Sequence, residues 1–222
     1  MGKAARPGSD HRRAPMPERA FSYANLSDVR GAASWQAKNG GMFMILTDER
    51  WRMTNNGRTG PMTRPPLIHG VAAPAIVLPM GEGQTWASCD FRGKPIVVVF
   101  YPADWEPVST DQLRSYNDAL PLIRGLDAEL VGISVDAIWC HQAFAQDLWL
   151  RFPLLADSHP HGATARAYGV YRRREGMSAR ALFVIDGDGV ICWRYLAHYE
   201  VNPGIDGMLT ALEALTTRDR AG

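Results

Sequence analysis

The sequence predicts an α/β fold, a three-layer α/β/α sandwich around a mixed central sheet, and three observations carry that reading. From residue 66 onward, short apolar runs of strand length alternate with longer stretches of helical period. The run Ile96–Phe100 is continuous, mostly β-branched and without a polar position, as suits a strand covered on both faces. The alternation closes with two strand-like runs, Ala181–Ile185 and Val190–Tyr195, joined by Asp186-Gly187-Asp188-Gly189, a strong hairpin signal. Alternating β and α units finished by a hairpin and a helix give a sheet with helices on both faces.

Taken in order, residues 1–65 are rich in Gly, Pro, Asn and Arg, hold one compact apolar patch at Met42–Leu46 and show no sustained helical or strand period. An N-terminal extension, largely disordered or loosely packed, is expected there. The domain proper is placed at 66–216, with 217–222 as a tail. Its first thirty residues read as a short strand, a turn and a second short strand before the central one. Pro102 ends Ile96–Phe100. Leu113, Tyr116, Leu120 and Ile123 then fall at helical spacing, and Gly125 is placed to stop the helix. Glu129–Val135 is the next strand, Ala137–Leu148 a second helix, Phe152–Ala156 a strand and Ala163–Tyr168 a short helix. After the hairpin, a final helix from about Ile205 carries Met208, Leu209, Leu212 and Leu215 on one face.

Composition bounds the function. An apolar share of 46% with 21% charged residues is that of an ordinary globular protein. No apolar run approaches the ~20 residues a bilayer crossing needs, so no membrane partner is expected. Residues 1–64 hold 11 Lys and Arg against 5 Asp and Glu, whereas residues 65–222 hold 13 against 18. The basic excess lies in the extension, without a tight Lys/Arg cluster or interleaved aromatics, and no nucleic-acid partner is expected. Cys89, Cys140 and Cys192 are odd in number and show no CxxC spacing, which points away from a disulfide framework or a zinc site and toward a reducing compartment. No apolar core follows the charges at the N-terminus, so a cytoplasmic location is expected. His159-Pro160-His161 has no third ligand in view, and Gly93-Lys94 lacks the rest of a phosphate loop. No metal or cofactor is expected.

The chemistry concentrates in residues 94–113, KPIVVVFYPADWEPVSTDQL, where the buried strand runs through a proline turn into a helix with Ser109 at its mouth. A helix start offers unpaired N–H groups and the positive end of a dipole, a setting that stabilises an anion or a thiolate. Ser109-Thr110-Asp111-Gln112 also fits a capping box with Ser109 as N-cap. Glu106, before Pro107, fits an acid at a helix N-terminus.

This segment resembles the peroxiredoxins, thiol peroxidases of thioredoxin-like fold. In that family the strand is followed by Pro, three residues, Thr or Ser, two residues and the peroxide-attacking cysteine. Pro102 matches the proline, Glu106 stands at the Thr/Ser position, and Ser109 stands where the cysteine should be. GISVDAIWCHQAF at 132–144, RFPLLAD at 151–157 and ARALFVID at 179–186 resemble later family segments, the last carrying the active-site arginine as Arg180. The resemblance covers about residues 66–216.

It implies a thioredoxin-like fold and a thiolate that attacks hydrogen peroxide or small organic hydroperoxides. The resulting sulfenic acid is recycled by a thiol reductant such as a thioredoxin-like protein, usually in a homodimer. Pro102 would shield the reacting atom and Arg180 would polarise the peroxide. Ser109 supplies no thiol: its hydroxyl stays protonated at neutral pH and has no oxidation ladder to climb, so the chain as given is expected to be inactive or trapped. Glu106 departs from the pattern as well, because an ionised carboxylate only accepts hydrogen bonds and would raise a neighbouring thiol's pKa unless it pairs with Arg180 or faces solvent. Gln112 stands where many members carry a Glu that orients the arginine. A second reading is a naturally non-catalytic thioredoxin-fold module for binding, or for redox sensing through Cys140, aided by His141 and the helix start.

Overall fold

The computed structural model describes residues 33–38, 41–46 and 62–219. β1 (Ala33–Lys38) and β2 (Gly41–Leu46) pair antiparallel from Ala33↔Leu46 to Lys38↔Gly41. Their connecting dipeptide Asn39-Gly40 is the sequence that favours a tight hairpin turn. This hairpin lies in a compact unit ending at Trp51, and the rest of the described chain lies in a second. The pair departs from the expectation of no strand period in residues 1–65. The remainder of the expected disorder in residues 1–65 falls almost wholly outside the described residues.

The second unit runs β3 (Val77–Gly81), β4 (Gln84–Ala87), a 3-10 turn (Ser88–Phe91), β5 (Ile96–Phe100), α1 (Pro107–Gly125), β6 (Glu129–Ser134), α2 (Ile138–Asp147), β7 (Leu154–Ala156), α3 (Ala163–Ala167), β8 (Tyr171–Arg172), β9 (Met177–Ser178), β10 (Ala181–Ile185), β11 (Ile191–Leu196) and α4 (Asp206–Asp219). Five strands form the central sheet in the order β11-β10-β5-β6-β7. β5, β6 and β7 are parallel, and β10 lies antiparallel to both β5 and β11. The predicted mixed sheet and its α/β/α layering are therefore present.

β5 is buried along its whole length, as its unbroken apolar run requires. Val97 and Val99 pack with Leu113, Tyr116, Leu120 and Ile123 of α1 and with Met208, Leu212 and Leu215 of α4. Ile96, Val98 and Phe100 pack on the other side with Leu78, Trp86, Tyr168 and Val170. Because side chains alternate along a strand, five residues feed two cores.

Two boundaries move. Met62 bridges Arg172, and Thr63 N and Leu67 N donate to the carbonyls of Tyr171 (3.3 Å) and Tyr168 (3.1 Å), so pairing with the domain begins before residue 66. Gly169 has φ +74°, and a Cβ there would lie 2.1 Å from the Pro65 carbonyl oxygen. Only glycine lets this segment lie so close. At the other end, α4 continues to Asp219, into what was read as tail. No helix among the described residues is long and apolar enough to cross a membrane.

Topology positions the site. Ala181 pairs with Phe100, so Arg180 stands one residue before β10, next to the end of β5 where the chain turns toward α1. A parallel sheet places ligands at such strand ends.

Candidate active site

The start of α1 differs from the predicted capping box. The N-cap is Glu106, in extended conformation with φ −68° and ψ 130°, and Pro107 occupies the first helical position. Pro lacks the N–H that would go unpaired there and presets φ. The Glu106 carboxylate then accepts from Val108 N at 3.1 Å and from Ser109 N at 2.6 Å. Ser109 lies inside the first turn and caps nothing. Its Oγ donates to Glu106 Oε2 at 2.6 Å, and Gln112, the expected partner in the box, turns to Arg180 instead.

Arg180 is completely buried, and its guanidinium organises the site. Nη1 donates to Gln112 Oε1 at 2.6 Å and to Ser109 Oγ at 3.3 Å. Nη2 donates to Glu106 Oε2 at 2.7 Å, and Nε and Nη2 both reach the Tyr199 carbonyl, at 3.3 and 3.2 Å. Gln112 passes the chain on, its Nε2 donating to Tyr116 Oη at 3.0 Å. One carboxylate oxygen, Glu106 Oε2, thus receives Ser109 N, Ser109 Oγ and Arg180 Nη2. Burial alone would push this carboxyl up; hydrogen bonds from the Ser109 hydroxyl, Arg180 and the Ser109 and Val108 amides outweigh it and hold the carboxyl below its ordinary value. Burial pushes the Tyr116 phenol well up, keeping it neutral.

A second buried network holds the loop between β5 and α1. Tyr101 Oη donates to Asp104 Oδ1 at 2.8 Å, and His141 Nδ1 lies 2.9 Å from Asp104 Oδ2. His141 Nε2 faces the Leu155 carbonyl at 3.2 Å, so each ring nitrogen has an acceptor. Asp104 N donates to Asp136 Oδ2, which also accepts from Ser134 Oγ at 2.6 Å. On the exposed side of the same loop, the Trp105 ring packs on Phe144 of α2 at 5.0 Å between centroids.

The sequence-predicted residues divide accordingly. Ser109, Glu106 and Arg180 come together, and buried Pro102 lies in the loop leading to them. Cys140 does not join them; it lies beside the second network. Burial first, then hydrogen bonding to Asp104 and the charges of Asp104 and Asp136, push its thiol up to about 11. His141 is engaged by Asp104 rather than by Cys140. The three cysteines are free thiols. Asp104, Asp136 and Cys140 bring potential ligand atoms within 4.8 Å of one another, yet the Asp104 oxygens and Asp136 Oδ2 already serve Tyr101, His141, Ser134 and a backbone amide. Sequence reasoning missed Tyr101 and Asp104, which sit in an ordinary proline turn, and Tyr199, which contributes only a carbonyl.

Residues 69–194 match the AhpC/TSA family. The chain is 32% identical over 170 residues to a peroxiredoxin of Thermotoga maritima, covering 72% of this chain and 76% of that protein. It is 34% identical over 151 residues to the chloroplastic peroxiredoxin Q of Populus jackii, covering 66% and 68%. Among solved structures, Mycobacterium tuberculosis AhpC superposes with a TM-score of 0.62 at 25% identity, over 70% of this chain and 96% of that one. The peroxidoxin BcpB of the same organism gives 0.61 at 27% identity, over 66% and 97%.

Proposed function

The chain belongs to the AhpC/TSA family of peroxiredoxins, which supports a thiol peroxidase function, and from that membership we propose that its Ser109 site is a peroxidase site held in a form that does not turn over peroxide. The observation that carries this reading is the closed set of partners on Arg180. The guanidinium that would polarise a peroxide donates to Glu106, Gln112, Ser109 and the Tyr199 carbonyl, and position 109 offers a hydroxyl in place of a thiol.

In this reading Ser109 marks the position of the attacking atom, Pro102 closes the loop over it, and Arg180 and Gln112 form the wall a peroxide would meet. Hydrogen peroxide and small organic hydroperoxides are the substrate class for the thiol-bearing form. A thioredoxin-like protein is its reductant, and pairing of two copies is the expected assembly. The paired departures at 106 and 109 favour a natural form over a single engineered Cys-to-Ser exchange, because Glu106 supplies Arg180 with an anion that Ser109 does not.

The Cys140 sensing alternative draws less support. A thiol beside two carboxylates, raised to about 11, is mostly protonated at neutral pH and a poor partner for oxidants.

The test is peroxide consumption by the full chain with a dithiol reductant. The unaltered chain should consume none above the reductant alone, and Ser109→Cys combined with Glu106→Thr should consume it and form a sulfenic acid. Turnover by the unaltered chain would overturn the silent-site reading, and a double variant that forms no sulfenic acid would overturn the peroxidase reading.

A further inference from the structure

We propose that Glu106 is a built-in occupant of the site, a tethered carboxylate that fills the anion position of Arg180 and holds position 109 in a neutral form. This rests on reading position 109 as the reacting position, and it adds the claim that the residue three places earlier decides whether a reactive anion can exist there.

The charges on the page lead to it. Arg180 is fully enclosed, and burying a cation costs free energy that a hydrogen-bonded partner of opposite sign offsets. Glu106 is the carboxylate that touches it, at 2.7 Å. The other atoms on the guanidinium, Ser109 Oγ, Gln112 Oε1 and the Tyr199 carbonyl, are uncharged. Further off among the described residues lie Arg172, buried with its guanidinium 6.0 Å from the Tyr199 ring, and Glu175, whose charge acts on Arg172. Arg180 and Glu106 therefore neutralise each other directly.

A thiolate at position 109 would be a second anion on one guanidinium. It would share the same helix start as well, because Ser109 N and Val108 N already donate to Glu106. Like charges in one enclosed site raise the pKa of the weaker acid. A thiol there stays protonated while Glu106 is ionised, and Glu106 is the group held ionised, its carboxyl kept low by four hydrogen bonds.

Steric access follows the same logic. Oε2 sits at hydrogen-bond distance from both Ser109 Oγ and Arg180 Nη2, the two groups between which a peroxide oxygen would have to lie. Replacing Glu106 by Thr opens that place and still caps the helix, because Thr is a good N-cap whose hydroxyl accepts from the first-turn amides.

The experiment compares Ser109→Cys with Ser109→Cys/Glu106→Thr in the full chain, after removing Cys89, Cys140 and Cys192 as Ser or Ala and confirming the fold by circular dichroism. The rate of iodoacetamide alkylation against pH gives the thiol pKa. At pH 7 the double variant should react about tenfold or more faster, as a pKa lower by a unit or more requires. Equal, fast rates in the two variants would overturn the role of Glu106 while leaving the peroxidase reading standing. Equal, slow rates without peroxide consumption would overturn both. Should Glu106→Thr fail to fold, Glu106→Gln removes the charge at nearly constant shape and is held to the same outcomes.

Discussion

Three donors converge on one oxygen of Glu106, and that oxygen makes the site pH-sensitive in a direction that can be stated. The folded-state pKa of Glu106 lies below its ordinary value of 4.5. Its contribution to stability is therefore complete above the unfolded value and lost as pH falls through the folded one. Glu106→Gln should flatten the acid side of the stability profile below about pH 4.5 and leave the neutral-to-alkaline side parallel to that of the unaltered chain; urea unfolding at a series of pH values measures it. The thiols give a second prediction. Burial pushes Cys192 up to about 12, its Sγ lying 3.2 Å from the Val184 carbonyl, and Cys140 up to about 11, whereas Cys89 is exposed. Limited alkylation at neutral pH, mapped by peptide mass, should label Cys89 first, and a faster Cys140 would revive a sensing role. At this scale Ser109, Pro102 and Arg180 stand out in the sequence through the family resemblance, whose motifs place them beside the apolar strands; spacing alone would leave Ser109 a helix cap and Arg180 an edge charge. Local spacing misplaced the N-cap. Ser109 and Gln112 have the right types for a capping box, but Pro107 starts the helix earlier and Arg180, 71 residues away from Ser109 in the chain, claims Gln112. A partner brought in by tertiary folding leaves no mark on local spacing.

The loop between β5 and α1 is clamped as an element rather than residue by residue. Asp104 ties it to α2 through His141 and to the end of β6 through Asp136 and Ser134, while Tyr101 fixes its first turn. The His141–Asp104 contact is almost wholly enclosed, with side-chain exposures of 3% and 0%. Removing one partner leaves a buried polar group unsatisfied, so His141→Phe should cost about 3 kcal/mol. In a double-mutant cycle with Asp104→Asn the two changes should be clearly less than additive; additive costs would mean that the two side chains stabilise the fold independently. The elements themselves were largely legible. β5 and β10 agree with the expected spans residue for residue, and β6, α2, β7, α3 and β11 differ by a residue or two at their ends, because apolar runs and helical periods report burial directly. The two-residue strands β8 and β9 are too short to carry a period, and of the paired strands β1 and β2 only Ala33–Lys38 alternates apolar and polar residues, whereas Gly41–Leu46 is a nearly unbroken apolar run.

At the scale of the whole molecule, the question is where the folding unit begins. Residues 62–73 lie along the domain through the Met62–Arg172 and Ala72–Val190 bridges and through Thr63, Leu67, Gly70 and Ala73 amides donating to the carbonyls of Tyr171, Tyr168, Ile191 and Gly189. A chain of residues 52–222 keeps all of these, and one starting at Leu67 loses the Met62 bridge, the Thr63 bond and the 3.4 Å bond that Arg194 Nη1 donates to the Pro66 carbonyl. The shorter chain should be less stable by about 1–2 kcal/mol, the net worth of one or two backbone hydrogen bonds. Gly169 separates this account from a general effect of shortening. In the longer chain an alanine at 169 meets the Pro65 carbonyl at 2.1 Å and also strains a φ of +74°; in the shorter chain Pro65 is gone and only the strain remains. Gly169→Ala should therefore destabilise residues 52–222 more than residues 67–222, with the shorter chain showing a cost of about 1 kcal/mol or somewhat above for the left-handed conformation alone. Urea denaturation of the four proteins gives both differences. Equal costs in the two backgrounds would show that residues 62–66 do not hold the domain in the way described, and would return its start to residue 66, where the sequence first places it.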